Sequence, residues 1–123
     1  MLRVVVTGAS GFLGSQVVRA LAAQPDVVVV GVSRREMPGA SHVTDYSQSP
    51  AGDVLLHLAE DSDPARVEKA GAAYEEKTRS TLLALQARNY RRIVYASSAL
   101  LYGDTDTQAH DTDDPVQVSD VYG

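Results

Sequence analysis

Three glycines set three residues apart, Gly8, Gly11 and Gly14, follow directly on the apolar run Leu2-Arg3-Val4-Val5-Val6-Thr7. A helical pattern begins at once behind them, with Leu13, Val17, Val18, Leu21 and Ala22 on one stripe. A strand, a tight turn and a helix N-terminus are written this way when a phosphate must come close to the backbone. Gly8 permits the turn, Gly11 opens the approach, and Gly14 lets the helix pack close to the strand. The amides of Ser10, Gly11, Phe12 and Leu13 sit at the helix N-terminus, placed to donate to an anion. A lone glycine triplet says little; between a strand and a helix it is specific.

Length and composition bound what surrounds this loop. The 123 residues suffice for one domain with a real core, and 44% hydrophobic against 22% charged residues is ordinary for a soluble globular chain. A net charge of −5 argues against a nucleic-acid partner, which calls for a basic face. With no cysteine there is neither disulfide nor thiolate chemistry. No run approaches the roughly 18 apolar residues of a membrane span, and Gly8 interrupts any apolar signal region. A cytoplasmic protein without a membrane partner is expected.

Residues 4–7 read as a first strand, apolar on both faces, and residues 12–23 as a helix. The valines of residues 27–32 make a second strand, a weak third lies near residues 42–44, and residues 53–59 make the next strong one. Asp63 suits an N-cap and Pro64 the first position of a long helix reaching about Arg88. Its buried face takes Val67, Gly71, Tyr74, Thr78, Leu82 and Leu85, while Arg88, Arg91 and Arg92 read as solvated charges at its end. Residues 93–98 form another buried strand. From Gly103 the chain is acidic loop, with Asp104, Asp106, Asp111, Asp113, Asp114 and Asp120; no ligand spacing recurs, His110 stands alone, and no metal is expected. This alternation predicts an α/β fold: a Rossmann-type parallel sheet in the order 3-2-1-4-5, helices on both faces, incomplete at its C-terminal side.

The strand ends carry the remaining chemistry. An acidic residue after strand two would accept from a ribose 2′-hydroxyl, whereas Ser33-Arg34-Arg35 offers a hydroxyl and two guanidiniums suited to a phosphomonoester. Asp45, beside Tyr46, reads equally as an adenine contact and as a solvated loop carboxylate. His57, inside an apolar strand, reads as a packed core residue.

Thr7-Gly8-Ala9-Ser10-Gly11-Phe12-Leu13-Gly14 resembles the T-G-x-x-G-[FY]-[LI]-G of the extended short-chain dehydrogenase/reductases, the NAD(P)-dependent epimerase/dehydratase family. His57-Leu58-Ala59 matches that family's H-L-A-A, with Glu60 in place of the last alanine. Residues 94–103 resemble its [FV]-[VI]-[YF]-x-S-S-x-x-[VL]-Y-G, with Tyr102 packing the following turn. Lys77-Thr78-Arg79-Ser80-Thr81 departs from N-[VI]-x-G-T, and Lys77 reads as a solvated helix lysine. The closing residues resemble P-x-x-P-x-[ST]-x-Y-[GA]-x-[ST]-K, with Tyr122 at the tyrosine.

The resemblance implies that residues 1–123 are the NAD(P)-binding Rossmann portion of an enzyme whose substrate lobe is absent. NADP is preferred over NAD, on the strength of Ser33, Arg34 and Arg35. The backbone of Leu58 and Ala59 would lie along the cofactor. Ser98 would hold the oxygen of a sugar-nucleotide-like or other hydroxy/keto substrate, with Ser97 positioning it, and Tyr122 would move the proton. The motif's lysine would fall at position 126, beyond this sequence. A tyrosine acting near neutrality must fall about three units below its usual value near 10, and that lysine supplies much of the stabilisation. The expectation is therefore a frayed Tyr122 and an inactive chain. The alternative is a non-enzymatic NADP(H) sensor or truncated interaction module. An edge left open beyond the fifth strand predicts association of copies into a homo-oligomer.

Overall fold

The computed structural model describes residues 1–98, 111–118 and 122. Tyr102, Gly103, Asp104, Asp106, His110 and Asp120 lie outside them. The chain divides into two compact units, Met1–Glu60 with Thr78–Ala96, and Asp61–Lys77 with Ser97–Gly123.

The first unit is built on a parallel sheet. Strands β1 (Leu2–Thr7), β2 (Val27–Ser33), β3 (Ala40–His42), β4 (Val54–His57) and β5 (Arg92–Tyr95) run in the order β3-β2-β1-β4-β5. This is the predicted order. β-branched valines dominate β1 and β2 because both faces of a central parallel strand are covered, which leaves no polar side to alternate with.

Register shows how the helices cover them. Val5 lies opposite Val30 and Leu55, and Leu55 opposite Ile93, so these four share a face. Leu85, from helix α3 (Ala72–Gln86), packs there with Val32 and Val43 in the buried core. The other face takes helix α1 (Phe12–Ala22): a Cβ added at Gly31 would lie 3.0 Å from the Ala9 Cβ and 3.6 Å from the Val18 Cγ2.

Two expectations are corrected. The long helix is in fact two, α2 (Pro64–Ala70) and α3, because Gly71 takes φ 60° and ψ −138° and its amide closes α2 on the Val67 carbonyl. A side chain at that φ would be strained, so glycine is where the helix ends, not part of its buried face. Strand β5 is also far from fully buried, with Val94 45% and Tyr95 40% exposed. Among the described residues it has β4 as its one strand neighbour, whereas β1 has two.

In the second unit, Asp63 caps α2 by accepting from the Ala65 and Arg66 amides, and Pro64 takes the first turn, as predicted. Arg66 donates twice to Asp61, from Nε at 2.7 Å and Nη2 at 2.8 Å. That guanidinium, with the Asp63 amide, holds the Asp61 carboxyl down to about 2.

Candidate functional site

The three glycines close a turn on themselves. Gly8 has φ 72°, and a Cβ on it would meet the Leu58 carbonyl oxygen at 2.8 Å. A Cβ on Gly14 would stand 2.0 Å from the Gly8 carbonyl oxygen and 2.7 Å from its carbon. No side chain fits there, so the first turn of α1 lies directly on the β1 exit. The turn is pinned by the Gly11 amide donating to Gly8 O at 2.9 Å and the Ala9 amide donating to Val32 O at 3.1 Å.

That pinning sorts the donors. The Gly11 amide is taken by the Gly8 carbonyl, whereas those of Ser10, Phe12 and Leu13 in the same turn have no backbone acceptor among the described residues. Gly11, as N-cap, brings no side-chain hydrogen bond, and no acidic residue stands in the first turn of α1. The helix itself therefore brings neither a cap nor a carboxylate to the positive end of its dipole. Phe12 is 88% and Leu13 54% exposed beside it, an unusual position for two large apolar side chains.

Leu58 and Ala59 form a ledge against Gly8, as the contact above requires. Thr7 Oγ1 accepts the Leu58 amide at 3.1 Å and lies 2.8 Å from His57 Nδ1. His57 is buried as expected, stacked on Tyr95 with ring centroids 5.9 Å apart and edge-on to Tyr46 at 6.1 Å. Its Nε2 reaches Glu60 Oε1 at 3.2 Å.

The end of β2 separates its three polar residues. Ser33 is fully buried and its hydroxyl accepts the Arg35 amide at 2.9 Å, so it shapes the turn. Arg34 and Arg35 are exposed. The Arg34 guanidinium lies 5.3 Å from the Tyr46 ring centroid, and its carbonyl is hydrogen-bonded to His42 Nε2. Asp45 caps the short 3₁₀ turn Tyr46–Gln48 by accepting from the Ser47 amide at 2.9 Å. Arg88 Nε donates to Ser47 O, and the Tyr90 hydroxyl to Pro50 O, which fastens the same loop from the segment after α3. Burial pushes the Tyr90 phenol up, with the Arg88 charge opposing.

Cradle, ledge and arginines belong to the first unit; Ser98 and Tyr122, each half-buried, belong to the second. Among the described residues no cluster of His, Asp and Glu is arranged to hold a metal ion, and no helix is long and apolar enough to cross a membrane. Sequence reading missed the Tyr46 ring under Arg34 and the Thr78 hydroxyl on Glu60, for which no local spacing is a signal, and the His57–Glu60 contact, to which their i, i+3 spacing could have pointed.

Comparison with known proteins gives this site its context. The sequence model of the NAD dependent epimerase/dehydratase family matches residues 4–123. No curated protein matches the chain. A short-chain dehydrogenase/reductase superfamily protein from Agrobacterium tumefaciens, solved with bound NAD, is 28% identical at a TM-score of 0.70, over 98% of this chain and 40% of that one. UDP-glucose-4-epimerase from Stenotrophomonas maltophila, with bound NAD and formylated UDP-arabinopyranose, is 22% identical at 0.79, over 99% and 44%. UDP-N-acetylglucosamine 4-epimerase from Bacillus cereus is 24% identical at 0.76, over 100% and 50%. The chain thus spans half or less of the length of these structures.

Proposed function

The chain belongs to the NAD dependent epimerase/dehydratase family, and from that premise we propose that it is the cofactor-holding part of an enzyme using a nicotinamide dinucleotide. The observation that carries this reading is the cradle. The space a Cβ on Gly14 would need is filled by the Gly8 carbonyl, and the amides of Ser10, Phe12 and Leu13 have no backbone acceptor among the described residues at a helix N-terminus without a side-chain cap. A pyrophosphate fits such a mouth. The bound NAD of the Agrobacterium tumefaciens relative supports the same cofactor class.

When bound, the dinucleotide supplies hydride transfer. The residues of this chain do the rest. Ser10, Phe12 and Leu13 bind the pyrophosphate through their amides, Leu58 and Ala59 line the cofactor with backbone, and Asp45 stands on the adenine side. Arg35, with Arg34 held over Tyr46, receives a 2′-phosphate, while Ser33 supports the turn from beneath. NADP is thus preferred over NAD. In the complete enzyme Ser98 orients the oxygen of a sugar-nucleotide-like or other hydroxy/keto substrate and Tyr122 moves a proton at its phenol oxygen. The 123-residue chain by itself turns over little or no substrate.

Calorimetric titration with NADPH and NADH tests the proposal. Binding of both is expected, with NADPH tighter by about tenfold, or about 1.4 kcal/mol, and with Arg35→Ala abolishing the difference. Binding of neither would overturn the cofactor site. NADH binding as tightly as NADPH would overturn the preference.

A further inference from the structure

Two departures from the family pattern meet in space. Glu60 stands where H-L-A-A has its last alanine, and Thr78 stands at the second position of N-[VI]-x-G-T. Thr78 Oγ1, on α3, donates to Glu60 Oε2 at 3.3 Å, while Glu60 Oε1 lies 3.2 Å from His57 Nε2. His57 Nδ1 lies 2.8 Å from Thr7 Oγ1, which accepts the Leu58 amide at 3.1 Å. A continuous hydrogen-bonded series therefore joins α3 to the ledge that flanks Gly8.

For a neutral His57 ring beside an ionised Glu60 the series has one consistent proton order. A carboxylate accepts only, so His57 Nε2 carries the proton towards Glu60. In the neutral ring Nδ1 is then the acceptor, and the Thr7 hydroxyl, whose oxygen takes the Leu58 amide, gives its own proton to Nδ1. Every donor finds an acceptor. With the other tautomer, the ring and Leu58 would both donate to Thr7 Oγ1. The Thr7 hydroxyl proton would lose Nδ1 as its acceptor at a site where Thr7 is fully buried and His57 only 2% exposed.

We propose that Glu60 is a positioning residue for the dinucleotide. It sets the His57 tautomer and, through Thr7, holds the Leu58–Ala59 ledge at the distance the Gly8 backbone requires; the proposal rests on the cofactor reading above. Thr78 aims the carboxylate. An alanine at position 60 leaves the ledge tied at Thr7 alone, with the ring free to take either tautomer.

The test combines imidazole ¹⁵N NMR, amide hydrogen exchange and NADPH titration on the whole chain. The unliganded wild type is expected to show the Nε2–H tautomer of His57 and a protected Leu58 amide. Glu60→Ala should raise Leu58 exchange by about tenfold and the NADPH Kd by about fivefold, the scale of one lost charge-assisted hydrogen bond. Glu60→Gln keeps an acceptor for His57 and an amide for Thr78, so it should restore both values to within about twofold. A side chain that merely fills space would not be rescued in this way. Should Glu60→Ala not fold, Thr78→Val carries the same expectation in the same direction. An Nδ1–H tautomer in the wild type would overturn the proposal, as would unchanged Leu58 exchange and NADPH affinity in Glu60→Ala. Failure of the wild type to bind NADPH or NADH refutes the cofactor reading instead. In that case the tautomer and the Leu58 exchange, read without ligand, still support the series or refute it.

Discussion

Replacing Gly14 by alanine adds one methyl group where the chain has no room. Its Cβ would stand 2.0 Å from the Gly8 carbonyl oxygen, and that oxygen already accepts the Gly11 amide. Restoring an ordinary contact of 3.4 Å or more means moving α1 or the β1 exit by more than about 1 Å. Both neighbours are backbone, so neither can rotate away. Overpacking costs about 1–3 kcal/mol, and disturbing the Gly8–Gly11 hydrogen bond about 1 kcal/mol more. The better helix propensity of alanine returns up to about 1 kcal/mol, leaving a net loss of about 1–3 kcal/mol. For a chain of this length that is a fall in Tm of about 4–10 °C, read by thermal unfolding. NADPH affinity should fall with it, because the amides at the mouth move with α1. Gly39→Ala is the control: its φ is 78° but nothing lies within 4 Å, so strain alone acts. A loss of about 1 kcal/mol with unchanged NADPH affinity is expected there. A Gly14→Ala chain melting within about 2 °C of wild type would refute the steric reasoning.

Other predictions concern the supports of the site. Tyr90→Phe removes the hydrogen bond to Pro50 O and should cost about 1 kcal/mol in urea unfolding. The Tyr90 phenol is pushed up by burial, so the stability of its neutral form is complete below about pH 10 and lost as pH rises through the folded value. The alkaline unfolding limb of Tyr90→Phe should accordingly be flatter than that of wild type. Asp61 is shifted the other way, from 3.8 to about 2, so its contribution is present above about pH 4 and fades as pH falls towards about 2. Because its partner Arg66 is 67% exposed, solvent screens the pair, and Asp61→Asn should only modestly flatten the acid limb. An unchanged acid limb in Asp61→Asn would contradict the assignment.

Local pattern carried most of the fold. The valine runs of β1 and β2 and the spacing of Gly8, Gly11 and Gly14 are short-range signals that marked the elements, and their alternation, as a Rossmann-type sheet, carried the strand order β3-β2-β1-β4-β5. Gly71 was illegible for the opposite reason. Apolar periodicity runs through it, and a glycine packed on a helix face looks in sequence like a glycine that ends the helix. The exposure of β5 depends on its place at the sheet edge, which its own apolar residues do not encode. At the site, motif spacing marked the cradle but could not separate the Gly11 amide, taken by the Gly8 carbonyl, from neighbours with no backbone acceptor among the described residues, nor buried Ser33 from exposed Arg34 and Arg35. The contacts of His57 with Thr7, and of Glu60 with Thr78, cross 50 and 18 residues of sequence, beyond any periodicity.

The central claim is that the turn between β1 and α1 receives a dinucleotide. Titrating the ¹⁵N-labelled chain with NADPH and following its backbone amides tests this most directly. The account predicts saturable shifts largest at Ser10, Phe12, Leu13 and Leu58, with a further set at Arg34 and Arg35. Shifts confined to residues 61–77, or no saturable shift at all, would contradict it.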